Sequence, residues 1–162
     1  MRVAVVGWRI VWTITPRGER GEEQTKNVQS HSGVLIVDDD QATRDTIRLL
    51  FEYEGYLVLE ASNGRSALNL LNISRSRLIV LLDWFLPDLD GIQVIQQHAL
   101  AATEPSSGQR SRRHTFILLT ASSKSVADLP PGMSVSIVRK PFDMSDLLAL
   151  VGAAAAEVEP RG

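Results

Sequence analysis

The run from Leu78 to Gly91, LIVLLDWFLPDLDG, limits the possible folds more than any other stretch of the chain. Five consecutive apolar residues, mostly branched, lead directly into a carboxylate at Asp83. A strand without polar alternation needs cover on both faces, which is the condition of an inner strand of a parallel sheet. Asp83 then stands at the strand's carboxyl end, the edge where open α/β sheets place their ligands. Beyond it, Leu86-Pro87-Asp88 and Asp90-Gly91 are expected to turn the chain. Proline fixes φ, Asp bonds nearby backbone, and Gly is expected to accept positive φ.

The rest of the chain supplies partners for that strand. Val34–Val37 is a short branched strand ending at Asp38-Asp39-Asp40, and Gln41–Tyr53 carries Ile47, Leu50 and Phe51 at helical spacing, with Gly55 as its stop. A second strand over 57–61, a turn at Ser62-Asn63-Gly64 and a second helix over 65–73 follow. After the central strand come a helix over 92–102, a polar loop, a fourth strand over 116–119 ending at Thr120, and a fifth over 135–138 ending at Arg139-Lys140-Pro141. A last helix over 144–157 has Asp143 placed to cap it. Strands alternating with helices imply a doubly wound α/β fold with a parallel sheet and helices on both faces.

Residues 1–33 differ from this pattern. Val3–Ile14 reads as a strand, and residues 16–33 as a polar linker, so the segment is expected to be a partly disordered extension. The opening VAVVG lacks the further glycines of a dinucleotide-binding turn. Arg9 interrupts the apolar start, and the small-residue cleavage site of a signal peptide is missing. We expect one domain over 34–157, a tail over 158–162 and a cytoplasmic protein. The sequence contains no cysteine, which excludes disulfides, thiolate metal sites and a cysteine nucleophile. A formal net charge of -2 provides no basic field for nucleic acid, so direct DNA binding is not expected, and no apolar run approaches the roughly 20 residues of a membrane span.

In a parallel sheet the strand ends share one edge, so Asp38, Asp39, Asp83, Thr120 and Lys140 converge there. Each residue has a plainer reading: Asp38 to Asp40 precede a helix and suit a cap, Asp83 precedes a turn, Thr120 ends a strand, and Lys140 suits a surface. One cap needs one acid, however, and Asp40 suffices for it. Several carboxylates in one cleft repel each other unless a cation neutralises them, and a hard divalent ion, Mg²⁺, with oxygen ligands is the usual solution.

VLIVDDD, LLDWFLPDLDG, LLTA and RKPF, in this order, resemble the receiver domain of two-component response regulators. The resemblance covers 33–157 and implies a five-stranded, flavodoxin-like sheet of order 2-1-3-4-5 whose aspartate accepts a phosphoryl group from a histidine kinase or histidine phosphotransfer protein. By this resemblance Asp83 is the phosphoacceptor, and Asp38 and Asp39 are the Mg²⁺-binding pair. Thr120 is the hydroxyl switch residue, Lys140 the cation at the phosphoryl group, and the Phe85 carbonyl a further metal ligand. The activity implied is limited to the domain's own aspartyl phosphorylation and dephosphorylation.

Some positions depart from the family's pattern. Ile137 stands where the fifth strand often carries an aromatic switch residue, which calls the usual ring rotation into question. Pro130-Pro131-Gly132 leaves room only for a short or irregular fourth helix. Phe85 and Ser122 occupy positions that tune hydrolysis in the family, and a bulky Phe85 is expected to keep water from the anhydride. Arg110-Ser111-Arg112-Arg113-His114 reads as a solvated loop or as a contact for an acidic partner, with His114 structural or exposed. The chain ends soon after Glu157, so we expect a stand-alone receiver that works through an unknown downstream protein, without membrane insertion. A receiver-fold interaction module with silent chemistry is the alternative. An aspartyl phosphatase fits poorly, because Asp83-Trp84-Phe85 lacks the second carboxylate such enzymes use.

Overall fold

Side chains alternate across each strand, and this alternation divides the apolar core of the computed structural model in two. The structure describes residues 2–5, 10–13, 33–101, 114–121, 129–130 and 133–157. In chain order the elements are β1 (Arg2–Val5), β2 (Ile10–Thr13), β3 (Gly33–Val37), α1 (Gln41–Tyr53), β4 (Val58–Ala61), α2 (Gly64–Ile73), β5 (Leu78–Asp83), α3 (Gly91–Ala101), β6 (Thr115–Thr120), β7 (Ser134–Arg139) and α4 (Met144–Ala156). The sheet order is β4-β3-β5-β6-β7, all parallel, which is the expected 2-1-3-4-5 when its strands alone are counted.

Central position explains the composition of β5, since every residue from Leu78 to Asp83 is buried between β3 and β6. Leu35, Val37, Val80, Leu82, Phe116 and Leu118 face Ala67 and Leu71 of α2 and Ile92, Val94 and Ile95 of α3. On the other face Val34, Ile36, Ile79, Leu81, Ile117 and Leu119 meet Ile47 and Phe51 of α1 and Leu147, Val151 and Ala154 of α4. Burying one such side chain fully stabilises by about 1.5–3 kcal/mol, so both layers are strongly specified. A one-residue register slip would exchange them.

Local chemistry sets the helix starts. Asp40 caps α1, accepting from the Ala42 and Thr43 N–H groups at 3.3 and 3.1 Å. Asn63 caps α2 through the Ser66 N–H at 2.8 Å. Asp90 and Gln93 form a reciprocal capping box at α3, with Gln93 N–H to Asp90 at 2.8 Å and Asp90 N–H to Gln93 at 3.0 Å. Gly55, with φ of 89°, follows α1 in the left-handed conformation expected of a helix stop.

Four expectations need correction or lie beyond view. The apolar N-terminus forms an antiparallel pair, β1 with β2, rather than one strand. Asp143 occupies the N-cap of α4 with extended backbone, but its side chain makes no capping bond. Gly91 is not a positive-φ turn residue. It is the first residue of α3, where an added Cβ would lie 2.7 Å from Leu118 Cδ1 and 2.9 Å from the Asp83 carbonyl oxygen, so close packing accounts for glycine there. The short or irregular fourth helix, with Ser122 and Pro131-Gly132, falls outside the described residues, as do the polar linker, Arg110 to Arg113 and the tail.

Candidate functional site

The carboxyl edge of the sheet collects the acids. Asp38 follows β3 and is 2% exposed, Asp83 ends β5 at 7%, and Asp39 beside them is open to solvent. One carboxylate oxygen from each of Asp38, Asp39 and Asp83 lies within 4.8 Å of the other two. Two like charges that close repel by on the order of 3 kcal/mol at an effective dielectric constant of about 20. Lys140, in the residue after β7, answers part of that charge, with Nζ at 3.2 Å from Asp38 Oδ2 and 3.3 Å from Asp83 Oδ1. Among the described residues, one ammonium in contact with a cluster of three carboxylates leaves an excess of negative charge.

The protonation balance follows from this geometry. Burial pushes the Asp83 carboxyl above the usual carboxylate range; Lys140 pulls it down and Asp38 pushes it up, and the outcome is a raised pKa. Burial alone would lower Lys140, but the charges of Asp83 and Asp38 outweigh it and hold the ammonium above its ordinary value. At neutral pH the site is therefore a partly buried, oxygen-rich, electronegative cleft. Hard divalent cations take such donors, and the residues present fit Mg²⁺ in charge and donor type.

Backbone links hold these side chains in place. Asp38 Oδ1 accepts the Asp40 N–H at 2.9 Å, so the strand end and the α1 cap are built as one turn. Trp84 N–H reaches the Leu119 carbonyl at 2.9 Å, and Lys140 N–H reaches the Thr120 carbonyl at 2.8 Å, which knits the ends of β5, β6 and β7 together. Thr120 is 2% exposed and pairs in register with Arg139. Phe85 sits two residues beyond Asp83, and its backbone N–H acts against the rise of the Asp83 pKa. Phe85 is 52% exposed. Ile137, on edge strand β7 opposite Leu118, is 44% exposed, so an aliphatic side chain occupies that face.

Two contributors escaped the sequence reading. Arg44 of α1 donates Nη1 to the Asp38 carbonyl at 2.8 Å and approaches Glu60 at 3.5 Å. Asp88, read as a turn former, accepts from Gly64 and Arg65 at the start of α2, 24 and 23 residues away in sequence. Neither residue belongs to a local pattern that could announce those contacts. His114 proves buried and structural, its Nδ1 accepting the Leu78 N–H at 3.0 Å. Among the described residues no helix is long and apolar enough to cross a membrane.

Comparison with known proteins agrees with this architecture. The model of the response regulator receiver domain matches residues 34–152. The response regulator MprA of Mycolicibacterium vanbaalenii is 36% identical over 119 residues, covering 72% of this chain and 47% of that protein. The chain thus spans about half the length of the curated relatives it matches. In fold it is similar to the receiver domain of the Francisella response regulator 1452, with a TM-score of 0.66 and 24% identity over 79% of this chain and 99% of that one. It is also similar to the receiver domain of the Pseudomonas aeruginosa sensor histidine kinase PA1611, whose structure has a magnesium ion coordinated in the active site cleft (TM-score 0.63, 23% identity, 78% and 98% covered). Sheet order, the acidic edge and these matches lead to one assignment: the chain belongs to the response regulator receiver domain family.

Proposed function

We propose that this domain is a phosphoryl-accepting switch of a two-component pathway, with Asp83 as the acceptor and a histidine kinase or histidine phosphotransfer protein as the donor. The observation that carries the reading is the buried Asp83 carboxylate, 3.3 Å from Lys140 Nζ and grouped with Asp38 and Asp39 at the edge of the sheet. Asp38, Asp39, Asp83 and the Phe85 carbonyl are the residues that would hold Mg²⁺. Once bound, the ion would supply charge neutralisation for the acids and for the transferring oxygens.

In the transfer, an Asp83 carboxylate oxygen attacks phosphorus in line. The new P–O bond forms as the donor's P–N bond breaks, and the electron pair leaves on the imidazole nitrogen. A carboxylate is a weak nucleophile, so the protein's contribution is positioning and charge. The Lys140 ammonium, held protonated by its acidic neighbours and 3.3 Å from Asp83 Oδ1, would stabilise the charge that the phosphoryl oxygens gain. In this reading the Thr120 hydroxyl, at the end of β6, is the group whose response to the phosphoryl oxygens shifts the domain between two states. Phe85 shields the acyl phosphate from water and lengthens its life.

The test is incubation with Mg²⁺ and acetyl phosphate, read by intact mass on wild type and on Asp83→Asn. A single adduct in wild type alone supports the reading. A protein that binds Mg²⁺ but takes no adduct points instead to the second reading, an interaction module with silent chemistry. Ile137, exposed and aliphatic where an aromatic switch is common, is the observation that favours that alternative.

A further inference from the structure

The loop from Trp84 to Asp90 must place Phe85 beside the acids; Phe85 itself is half-exposed, whereas Trp84 before it is buried and Leu86 and Leu89 after it pack against the core. At its base the loop is fixed by two backbone bonds, Trp84 N–H to the Leu119 carbonyl at 2.9 Å and Gly91 N–H to the Trp84 carbonyl at 2.8 Å. Its outer end has a different anchor. Asp88 spreads its carboxylate across the start of α2, with Oδ1 accepting the Gly64 N–H at 2.8 Å and Oδ2 the Arg65 N–H at 2.9 Å. Oδ1 also accepts the Leu89 N–H at 2.8 Å, and together these bonds hold the Asp88 carboxyl below the usual carboxylate range.

A helix start has four N–H groups without partners inside the helix. Asn63 already satisfies one of them locally, that of Ser66. Asp88 takes two more, from a loop that packs directly on the helix. A Cβ at Gly64 would lie 2.8 Å from both Leu89 Cβ and Val94 Cγ2, and 3.3 Å from Asp88 Oδ1. Helix α2 thus has a local cap and a remote one, and the remote cap comes from the segment that carries Phe85.

We propose that Asp88 is a positioning residue for the acidic site: by clamping the loop to the N-terminus of α2 it holds the Phe85 backbone in place for the bound cation. This rests on the reading of Asp38, Asp39, Asp83 and Phe85 as the Mg²⁺ site. Its consequence is a mechanical link from α2 to the site through the loop.

The experiment is calorimetric titration of the whole chain with Mg²⁺, alongside thermal unfolding, for wild type, Asp88→Ala, Asp88→Asn and Asn63→Ala. Asn63→Ala removes the local cap of the same helix without touching the loop, so it reports what helix fraying alone does. Asp88→Ala is expected to weaken Mg²⁺ binding about tenfold, as loss of an outer support does at metal sites. Asp88→Asn, which keeps one acceptor oxygen, should fall between it and wild type. Asn63→Ala should lower the thermal midpoint and leave Mg²⁺ affinity within about twofold, since a cap contributes stability rather than metal ligation. Wild-type affinity in Asp88→Ala, or equal weakening in Asn63→Ala, overturns the clamp alone. Absence of Mg²⁺ binding in wild type overturns the clamp and the functional reading together.

Discussion

The two edges of the sheet treat buried ionisable groups in opposite ways. At the carboxyl edge Asp38 and Asp83 are buried beside each other and beside Asp39, with Lys140 as their contacting cation. At the amino edge the His98 and His114 rings lie 5.0 Å apart, with Phe116 at 5.8 Å from His98. There His114 accepts the Leu78 N–H, and Arg77 donates to the Thr115 hydroxyl at 2.9 Å. Burial holds His98 below its ordinary pKa and hence neutral, and its Nδ1 has no hydrogen-bond partner among the described residues. Among the described residues, one edge buries charge that its contacting cation does not balance; the other buries the His98 imidazole in the form that carries no charge. Excess charge calls for a ligand, whereas a neutral ring needs only packing.

Five changes break or sharpen this contrast. The largest effect is expected from Lys140→Ala, which removes the cation from the charged edge. Adduct formation with acetyl phosphate should slow by about 100-fold, the usual loss when one preorganised charge-stabilising donor is removed. Intact mass against time measures it, and an unchanged rate would remove Lys140 from the transfer. Next comes Gly91→Ala, which drives a Cβ against Leu118 and the Asp83 carbonyl. Overpacking of this kind destabilises by about 1–3 kcal/mol, read as a lower urea midpoint. Phe85→Asn should have a smaller effect, shortening the acyl-phosphate lifetime severalfold by admitting water, with the fold intact. A half-life equal to wild type would show that the ring shields nothing.

The smallest effect belongs to the amino edge. His98 has a folded pKa below its unfolded value of 6.5, so the unfolded state binds more protons just below that pH. The stability due to neutral His98 is therefore present above 6.5 and lost as pH falls through the folded pKa. His98→Leu should change stability at pH 7.5 by less than about 1 kcal/mol. It should also flatten the decline in urea midpoint on acidification, and an equally steep decline would show that His98 is not its source. The Asp83 carboxyl carries the opposite sign. Its raised pKa means that ionisation opposes folding as pH rises from 3.8 through the folded value, so Asp83→Asn should raise the cation-free urea midpoint at pH 7.5.

Much of the fold was legible because its signals are local. Continuous apolar strands announce a sheet covered on both faces, and Gln41–Tyr53 emerged with the bounds its spacing suggested. The strand-end rule brought Asp38, Asp39, Asp83 and Lys140 together, since it needs only the order of elements. What stayed hidden is long-range or depends on space. The Gly91 conformation was misread because a close approach to Leu118 leaves no local mark. The Asp143 side chain is spelled like a cap and makes no capping bond. Arg44 and Asp88 sit in ordinary polar surroundings in sequence and acquire their roles from neighbours that only folding supplies.

By itself, then, the sequence determined the α/β alternation, the two-faced core and the edge at which the acids collect. Those depend on hydrophobic period and on the shared direction of parallel strands, both of which are written along the chain. Tertiary structure alone decided how the site is held: the Lys140 ammonium shared between two carboxylates, the Asp38 carbonyl bound by Arg44, and the Asp88 clamp on α2. The Lys140 and Asp88 contacts join segments far apart in the chain and the Arg44 contact spans six residues, but each depends on distances and burial that exist only once those segments have packed.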